Sequence, residues 1–347
     1  MPDKPGVHAQ HTNVWLSNMA SKWMVEDRQF VAGQIFPIVT VQKLTDLIAR
    51  YDRRDWFRAH DVRPRAPGSE SQGTGYGIGS GSYYCREYAV HKDIPDEERA
   101  NADLPFRPDM DSTQIITQLL KIKRDYLFAQ FAFAAGVWTT QFAGTVAASN
   151  YGAGGMQHWS NYLTPSTPIQ DVEYAKQYMH LLTGFQPNTL VVNKCVWGAL
   201  KHHPQIIARY LQTQAVPQLT PQLVANVFEL DRVIVAEAIM NHGAEQGQWI
   251  GRPVFGNHAL LAYVQPSPST TMPSAGYTFA YTGANHQGYA VQIEQFRLAN
   301  DSKSDRLTGN FVIDPHVVEP DLGVFIQNIV APGFCLGEVV ADITGFN

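Results

Sequence analysis

Two long stretches of the chain carry no charged side chain, and they constrain the fold more than any other feature of the sequence. Residues 126–170 and 253–293 contain no Lys, Arg, Asp or Glu. Neither stretch predicts a membrane span, because Gln, Thr and Gly interrupt the first, and prolines with Ser, Thr and Gly break the second. Such stretches form either the core of a large domain or surfaces buried against another protein, since interface cores are depleted of charge. The sequence leaves both explanations open.

The charged residues are concentrated in one region. Residues 42–109 hold 11 basic and 12 acidic side chains, whereas the whole chain has 26 Lys and Arg against 31 Asp and Glu, a net charge of −5. This balance argues against a dedicated nucleic-acid reader, which needs a basic surface. With 347 residues, the chain is long enough for about two domains that need no disulfide support.

The cysteines and the N-terminal residues indicate the compartment. Cys85, Cys195 and Cys335 are odd in number and widely spaced, which predicts free thiols in a reducing environment rather than a disulfide framework or a zinc site. The first 30 residues lack the apolar run of a secretory signal. We therefore expect synthesis in the cytoplasm and no membrane association.

The first third of the chain predicts extended structure. Residues 1–32 have isolated apolar anchors, among them Trp15 and Trp23, and indicate an extended arm. Residues 33–41 are β-branched but contain Pro37, which suits an edge strand. Alternating glycines at 73–81 and the aromatic-rich segment that follows at 83–90 predict two paired strands, which form a long, charge-rich loop.

A long helix is the clearest predicted element. Asp111 and Gln114 resemble a capping box, and apolar residues recur at helical spacing over 112–135 until Gly136. A helix of this length spans about 36 Å. Its predicted apolar stripe, which is either subunit core or a face turned to a neighbouring subunit, contains Ile115, Leu119, Ile122 and Tyr126.

The second half of the chain predicts a compact α/β region followed by β-rich segments. Thr167 and Pro168 open a helix that ends at Gly184. Shorter helices are predicted near 196–200, after 204 and at 223–228, with strands near 189–192, 233–236 and 260–264, and strands dominate residues 276–330.

The sequence predicts no catalytic residue, no cofactor and no metal site. The common phosphate-loop, zinc-protease, calcium-loop and nucleophile-elbow motifs do not occur. Asp93, Asp96, Glu97 and Glu98 beside Arg99 could act as an acid and a base, but a solvated turn explains them more simply.

An arginine cluster predicts contact with other subunits. Its basic residues alternate with Asp52, Asp55 and Asp61, whereas a phosphate-binding patch would not usually carry interleaved carboxylates. A solvated surface and a nucleic-acid contact are the alternatives. The predicted intersubunit residues, which include two anchors of the arm, are Arg50, Arg53, Arg54, Trp56, Phe57, Arg58, Arg63, Arg65, Trp15 and Trp23.

The order and spacing of several segments resemble the major capsid proteins of tailed bacteriophages, which have the Hong Kong 97-type fold. The resemblance covers about residue 33 to about residue 330 and does not depend on one motif. The segments that carry it are 35–41, 51–58, 65–68, 83–89, 96–102, 193–204 and 220–238.

The resemblance implies an α+β fold with four parts. These are an N-terminal arm (1–47), an extended β-loop (48–108), a peripheral domain built on the long spine helix (109–165 and 266–317) and an α/β axial domain (166–265 and 318–347).

The resemblance also implies a structural role rather than an enzymatic one. We expect a shell subunit that forms hexamers and pentamers of an icosahedral head, assembled in the host cytoplasm and located in the virion. It would enclose double-stranded DNA without sequence-specific contacts. No scaffolding segment precedes the arm, so a separate scaffolding protein is expected, with a portal and a decoration protein as further partners. The resemblance identifies no Lys and Asn pair for a covalent cross-link.

Two alternatives remain at this stage. One is a cellular, encapsulin-like protein cage of the same fold. The other is a carbohydrate-active enzyme with Trp and Tyr platforms, in which Glu97 and Glu98 would be the catalytic carboxylates.

Overall fold

The computed structural model describes residues 26–102, 106–162, 166–210, 219–244, 247–268, 272–284, 286–298, 303–336 and 339–341. Helices and strands are mixed along these ranges. The helices are α1 (Ala32–Ile35), α2 (Arg53–Trp56), α3 (Asp96–Ala100), α4 (Pro108–Ala132), α5 (Pro168–Thr183), α6 (Lys194–Lys201), α7 (Pro204–Tyr210) and α8 (Pro221–Phe228).

The strands of the described ranges form sheets of five, six, three and two strands. They are β1 (Ile38–Val41), β2 (Thr45–Tyr51), β3 (Ile78–Tyr84), β4 (Arg86–Pro95), β5 (Thr140–Thr145), β6 (Gly155–Gln157), β7 (Thr189–Asn193), β8 (Arg232–Ala236), β9 (Ile239–Asn241), β10 (Trp249–Pro253), β11 (Ala259–Ala262), β12 (Gly276–Tyr281), β13 (Gln292–Arg297), β14 (Ser304–Val317), β15 (Gly323–Gln327) and β16 (Val339–Ala341).

Strand β14 organises the five-stranded sheet because it pairs along both of its edges. On one edge it is antiparallel to β4, with Ile313 opposite Arg86 and Ser304 opposite Pro95. On the other edge it pairs with β13 and β12, and β1 joins β12 in parallel at the border of the sheet. The predicted edge strand is therefore confirmed at residues 38–41, but residues 33–35 of the predicted segment belong to helix α1.

Helix α4 crosses this sheet at Gly309 of β14. A Cβ atom at Gly309 would lie 2.3 Å from Cγ2 of Ile116 and 2.8 Å from Cδ1 of Leu120, so the helix can approach only because the strand has no side chain there. Ile116 and Leu120 are 2% and 3% exposed, whereas Ile115 and Leu119 are 51% and 49% exposed. The long helix is confirmed, but the predicted core stripe is wrong by one residue at Ile115 and Leu119.

The stripe was misplaced because α4 is buried on two different faces. Its first half packs Ile116 and Leu120 into one apolar cluster with residues of β4 and β14. Its second half packs Phe128, Ala129 and Ala132 into another cluster, which also contains residues of α1 and β15. The remaining two stripe residues, Ile122 and Tyr126, are half-buried. The helix also begins at Pro108, four residues before the predicted start. Proline suits the first helical turn because a backbone N–H at that position would have no acceptor within the helix.

The six-stranded sheet is buried on both faces. It has the order β6-β5-β15-β11-β7-β8, and every residue of β7 and β11 is buried. Alternate residues of β7 face opposite sides: Leu190 and Val192 join the cluster of α5, α6 and α8, and Val191 joins the cluster of α4. Strands β5 and β6, which the sequence analysis placed in the peripheral domain, also belong to this sheet.

The helices predicted in this region are present in the structure. They could be predicted because the signals that begin and end them lie within a few residues of each helix end. The Asn193 side chain accepts the N–H of Cys195 at 2.6 Å and caps α6. Thr220 Oγ1 accepts the N–H of Leu223 at 3.4 Å at the start of α8. Helix α5 ends at Gly184, whose φ of +80° favours glycine.

The predicted pairing within 73–90 is wrong. Residues 71–77 are irregular, and β3 is antiparallel to β2, with Tyr84 opposite Thr45 and Ile78 opposite Tyr51. The chain changes sheets at Cys85, after which β4 pairs with β14. The long loop exists, but its two strands are 45–51 and 78–84. Strand β4 does not belong to the loop, because its partner β14 lies more than 200 residues further along the chain.

The two charge-free stretches contribute mainly to the core. The first stretch buries Trp138, Phe142 and Trp159, and the second buries Phe255 and Leu260. All five side chains belong to the two large apolar clusters of the subunit. The structure thus favours the core explanation of these stretches over the interface explanation.

The prediction of three free thiols is wrong for two of them. Cys195, at the start of α6, forms a disulfide with Cys335, whose Cα atom is 5.8 Å away across 140 residues of sequence. Cys85 is free and buried, and burial raises its pKa to about 12, so it stays a protonated thiol at neutral pH.

We expect reduction of the disulfide to lower the stability of the subunit. Closing a 140-residue loop restricts the unfolded chain, and its loss typically costs about 2–5 kcal/mol. Urea unfolding of the unassembled subunit with and without a reductant measures this difference. A Cys195→Ser variant is the control, because its urea midpoint should match that of the reduced protein and should not respond to reductant. Equal midpoints for the oxidised and reduced protein would contradict the prediction.

Candidate intersubunit surfaces

The two-stranded loop of β2, β3 and the segment between them concentrates exposed apolar side chains. Trp56 and Phe57 lie in α2 and directly after it, and they are 67% and 64% exposed. A solitary subunit rarely exposes so many large apolar side chains in one segment, which favours burial against another protein. The other exposed apolar residues of this segment are Leu47, Val62, Tyr76, Ile78 and Tyr84.

Four of the predicted contact arginines lie on the solvent side of this loop. Arg54 pairs with Asp52 at 2.9 Å, and Arg58 pairs with Asp55 at 3.4 Å, so these ion pairs are internal to the loop. Arg63 and Arg65 are exposed and have no ion-pair partner among the described residues. All four stay predicted contact residues.

The other two arginines hold the loop against the body of the same subunit. Arg50 Nη2 lies 3.2 Å from Oε2 of Glu319, and Arg53 forms an ion pair with Asp321. In addition, the Phe57 ring lies against Gly184, where a Cβ atom would come within 2.9 Å of the ring. Arg50 and Arg53 were predicted to contact other subunits, but in the structure their carboxylate partners belong to the same chain.

The predicted anchors Trp15 and Trp23 lie outside the described residues. The end of the predicted arm, by contrast, belongs to the core of the subunit, because Phe30, Val31 and Ala32 are buried. The arm that could reach a neighbour is therefore shorter than the 47 residues of the predicted arm.

Asp125 of α4 attaches this N-terminal segment to the spine helix. Its two carboxylate oxygens accept the backbone N–H groups of Val31 and Ala32, both at 3.0 Å. Burial raises the pKa of Asp125 to about 6, although these two hydrogen bonds and the nearby Arg124 partly counteract the increase.

We expect Asp125 to make the subunit more stable as the pH falls from 7 towards 4.5. The folded carboxyl takes up a proton below about pH 6 and the unfolded one only near 3.9, so the folded state binds more protons between these values. The free energy of unfolding should be about 2 kcal/mol higher at pH 4.5 than at pH 7. Urea unfolding at both pH values, for the natural protein and for Asp125→Asn, measures it. An identical pH dependence of the two proteins would contradict the assignment.

A groove lies between α4 and the outer side of β4. It has a volume of about 410 Å³ and is lined partly by Tyr88, Val90, Leu119 and Lys123. The Lys123 ammonium lies 5.8 Å from the ring centroid of Tyr88. Leu119, which sequence analysis placed in the stripe, thus borders a surface that is open in the isolated subunit.

The carboxylates that could have formed an enzyme site are occupied by arginines. Arg306 holds Asp93 at 2.6 Å, and Arg297 holds Asp96 at 2.5 Å. Hydrogen bonds from these arginines lower the pKa of both carboxyls, so neither is suited to donate a proton near neutral pH. Glu97 and Glu98 point into solvent on the exposed surface of α3.

The described residues contain no cluster of three or more His, Cys, Asp or Glu side chains that could hold a metal ion. Within the same ranges, no helix combines the length and the apolar character that crossing a membrane requires.

The chain is similar over nearly its whole length to proteins of phage heads. The major capsid protein of Burkholderia phage BcepMu is 22% identical over 325 residues, which cover 90% of this chain and 95% of the relative. A phage-related protein from Bordetella bronchiseptica RB50 superposes with a TM-score of 0.62 at 21% identity, covering 88% of this chain and 94% of that one. The capsid of cyanophage P-SCSP1u has a TM-score of 0.57 at 10% identity, with 91% and 92% of the two chains covered.

The chain has the Hong Kong 97-type fold. This α+β fold is not confined to phages. The encapsulin SrpI from Synechococcus elongatus superposes on this chain with a TM-score of 0.53 at 11% identity, covering 90% of this chain and 93% of the encapsulin. No protein-family model matches the sequence.

Proposed function

We propose that the chain is the major capsid protein of a tailed bacteriophage, and that it assembles with copies of itself into hexamers and pentamers, which build an icosahedral shell around double-stranded DNA. The observation that carries the proposal is the end-to-end similarity to a phage major capsid protein, which leaves no large part of the chain for another activity. The role is structural, and assembly replaces catalysis as the function of the molecule.

The exposed surfaces of the subunit support assembly. The β2–β3 loop presents Trp56, Phe57 and Val62 to solvent, and the groove beside α4 presents Leu119. Removing apolar surface from water stabilises a contact by about 25 cal/mol per Å². Each contact between two subunits is modest, but many copies in a closed shell sum such contacts into a stable particle.

The charges of the subunit indicate weak binding between the shell and the enclosed DNA. A tight phosphate contact needs Lys or Arg side chains that are free to neutralise it. Here Arg99, Arg297 and Arg306 are each paired with aspartates of the same chain, and the net charge is −5. These features favour DNA that is enclosed without tight binding to the shell.

The sheet pairings suggest how the proposed domains divide the chain. We assign the five-stranded sheet with the first part of α4 to the peripheral domain, and the six-stranded sheet with α5 to α8 to the axial domain. Residues 140–157 then move to the axial domain, because β5 and β6 pair next to β15. The β2–β3 loop is the extended loop.

The further partners follow from the proposed shell. A separate scaffolding protein would guide assembly in the host cytoplasm, a portal would admit the DNA, and a decoration protein could bind the finished head. The subunit would then be located in the virion. The resemblance of the sequence to tailed-phage capsid proteins supports these partners.

Electron microscopy of the purified protein, expressed alone and together with the other head proteins of its phage, tests the proposal. We expect closed icosahedral particles, and nuclease-resistant double-stranded DNA in those that are packaged. A protein that remains monomeric under both conditions would contradict the proposal. Particles that enclose an enzyme instead of DNA would support the encapsulin-like alternative, which the similarity to SrpI keeps as the second candidate.

A further inference from the structure

Three contacts attach the extended loop to the body of its own subunit. They are the ion pairs Arg50–Glu319 and Arg53–Asp321 and the packing of Phe57 against Gly184. On the loop side, these residues come from the end of β2 and from the region of α2. On the body side, they come from the turn between β14 and β15 and from the end of α5.

The body side of this contact is a turn that backbone hydrogen bonds tie to the rest of the subunit. Glu319 and Asp321 lie on either side of Pro320 at the turn that precedes β15, and Leu322 at its end is buried. Backbone hydrogen bonds fix the turn, because the N–H of Glu319 donates to Ala275 at 3.2 Å and the carbonyl of Leu322 accepts the N–H of Tyr263 at 3.0 Å. The two carboxylates therefore extend from a hydrogen-bonded turn.

The loop side is shaped to meet this turn. The Asp52 side chain accepts the N–H of Arg54 at 2.9 Å and starts α2, which places Arg53 in the first turn of the helix. Gly184 has no side chain to push Phe57 away, and its left-handed backbone suits glycine. The two partners carry opposite charges in both ion pairs, and the apolar contact of Phe57 with Gly184 is the third contact.

We propose that these three contacts form a clamp, which sets the direction of the extended loop on its own subunit before the loop meets a neighbouring copy. The inference rests on the proposed function. A loop that is already fixed loses less conformational freedom when it binds, so the same contact surface gives a stronger association. Arg50, Arg53, Glu319 and Asp321 are then positioning residues, and the exposed apolar side chains of the loop make the contact.

Charge reversal tests the clamp in the unassembled subunit. We expect Arg53→Asp and Asp321→Arg each to speed amide exchange over residues 53–62 about tenfold, because like charges then face each other. The double variant, in which the charges attract again, should restore the slow exchange. Lys43→Asp is the matched control, since Lys43 pairs with Asp46 at the base of the loop and does not reach the turn at 319–321. Phe57→Ala should speed exchange over the same residues through the third contact.

Assembly then shows whether the contact acts within one subunit. We expect each single variant to yield several-fold fewer particles at a given concentration, and the double variant to recover the yield. A mixture of the two single variants should not recover it. If the mixture assembles as well as the double variant, the ion pair joins different subunits and the clamp is wrong.

Unchanged exchange in Arg53→Asp and Phe57→Ala would also overturn the proposal. Because exchange is measured before assembly, failure of the clamp and failure of the proposed shell function give different results. A clamp that is present in a protein forming no particles would contradict only the shell function.

Discussion

Replacing Leu120 by Ala should destabilise the unassembled subunit by about 2–5 kcal/mol, whereas replacing the adjacent Leu119 should change its stability by well under 1 kcal/mol. Leu120 is buried where α4 crosses β14 at Gly309, and its loss leaves a cavity that the strand cannot fill. Leu119 borders the open groove instead. Urea unfolding of the two variants measures the difference directly.

The pair is a matched control, since both residues are leucines in the same turn of one helix. In the proposed shell, Leu119→Ala should also reduce particle formation while the monomer stays folded. If Leu119→Ala destabilises the monomer as much as Leu120→Ala does, Leu119 is part of the subunit core and does not face the open groove.

Replacing Trp56 by Ala should prevent particle formation and leave the folding of the subunit unchanged. The indole lies 6.4 Å from the ring of Tyr76, centroid to centroid, and most of its surface is exposed, so the subunit loses little when it is removed. A large aromatic anchor at an interface typically contributes more than about 2 kcal/mol per contact, and a shell repeats that contact in every copy. Particle yield and thermal unfolding should be measured side by side.

Ile239 offers the control for Trp56. It is an exposed apolar residue on β9, outside the extended loop, and Ile239→Ala should leave both folding and assembly close to those of the natural protein. Normal particles from Trp56→Ala would show that the exposed aromatic residue of the loop is not an interface anchor.

Local signals predicted well the helices that pack on the six-stranded sheet. The start of α8 at Thr220 and Pro221, and the end of α5 at Gly184, each depend on residues that are close in sequence. Capping hydrogen bonds and the left-handed glycine act over a few residues, so they appear in the sequence as well as in the structure.

The errors came from contacts between distant parts of the chain. The stripe on α4 was misplaced because the helix serves two apolar clusters, and a single helical period cannot describe two faces. The disulfide between Cys195 and Cys335 spans 140 residues, which spacing alone does not reveal. Likewise, only the structure shows that β4 pairs with β14 rather than with β3.

The candidate contact surfaces were predicted in part. The sequence located the charge-rich loop and its aromatic residues, because charge and aromatic content are visible there. It did not show that Arg50 and Arg53 reach Glu319 and Asp321, since nothing local links residues that lie almost 270 positions apart. Tyr88 and Lys123 of the groove were also missed, and no sequence signal distinguishes them from other surface residues.

The pairing of early strands with late ones has a consequence for the timing of synthesis. Strand β1 needs β12, β4 needs β14 and β5 needs β15. The five-stranded sheet therefore cannot close before the ribosome has made residue 317, and the six-stranded sheet cannot close before residue 327. Pairings between distant residues form slowly, and their unpaired edges attract other chains. The newly made polypeptide therefore passes through a period in which it holds nearly all of its sequence but little of its final fold. The number of folded subunits available for assembly should therefore depend on chaperones more than on the rate of translation.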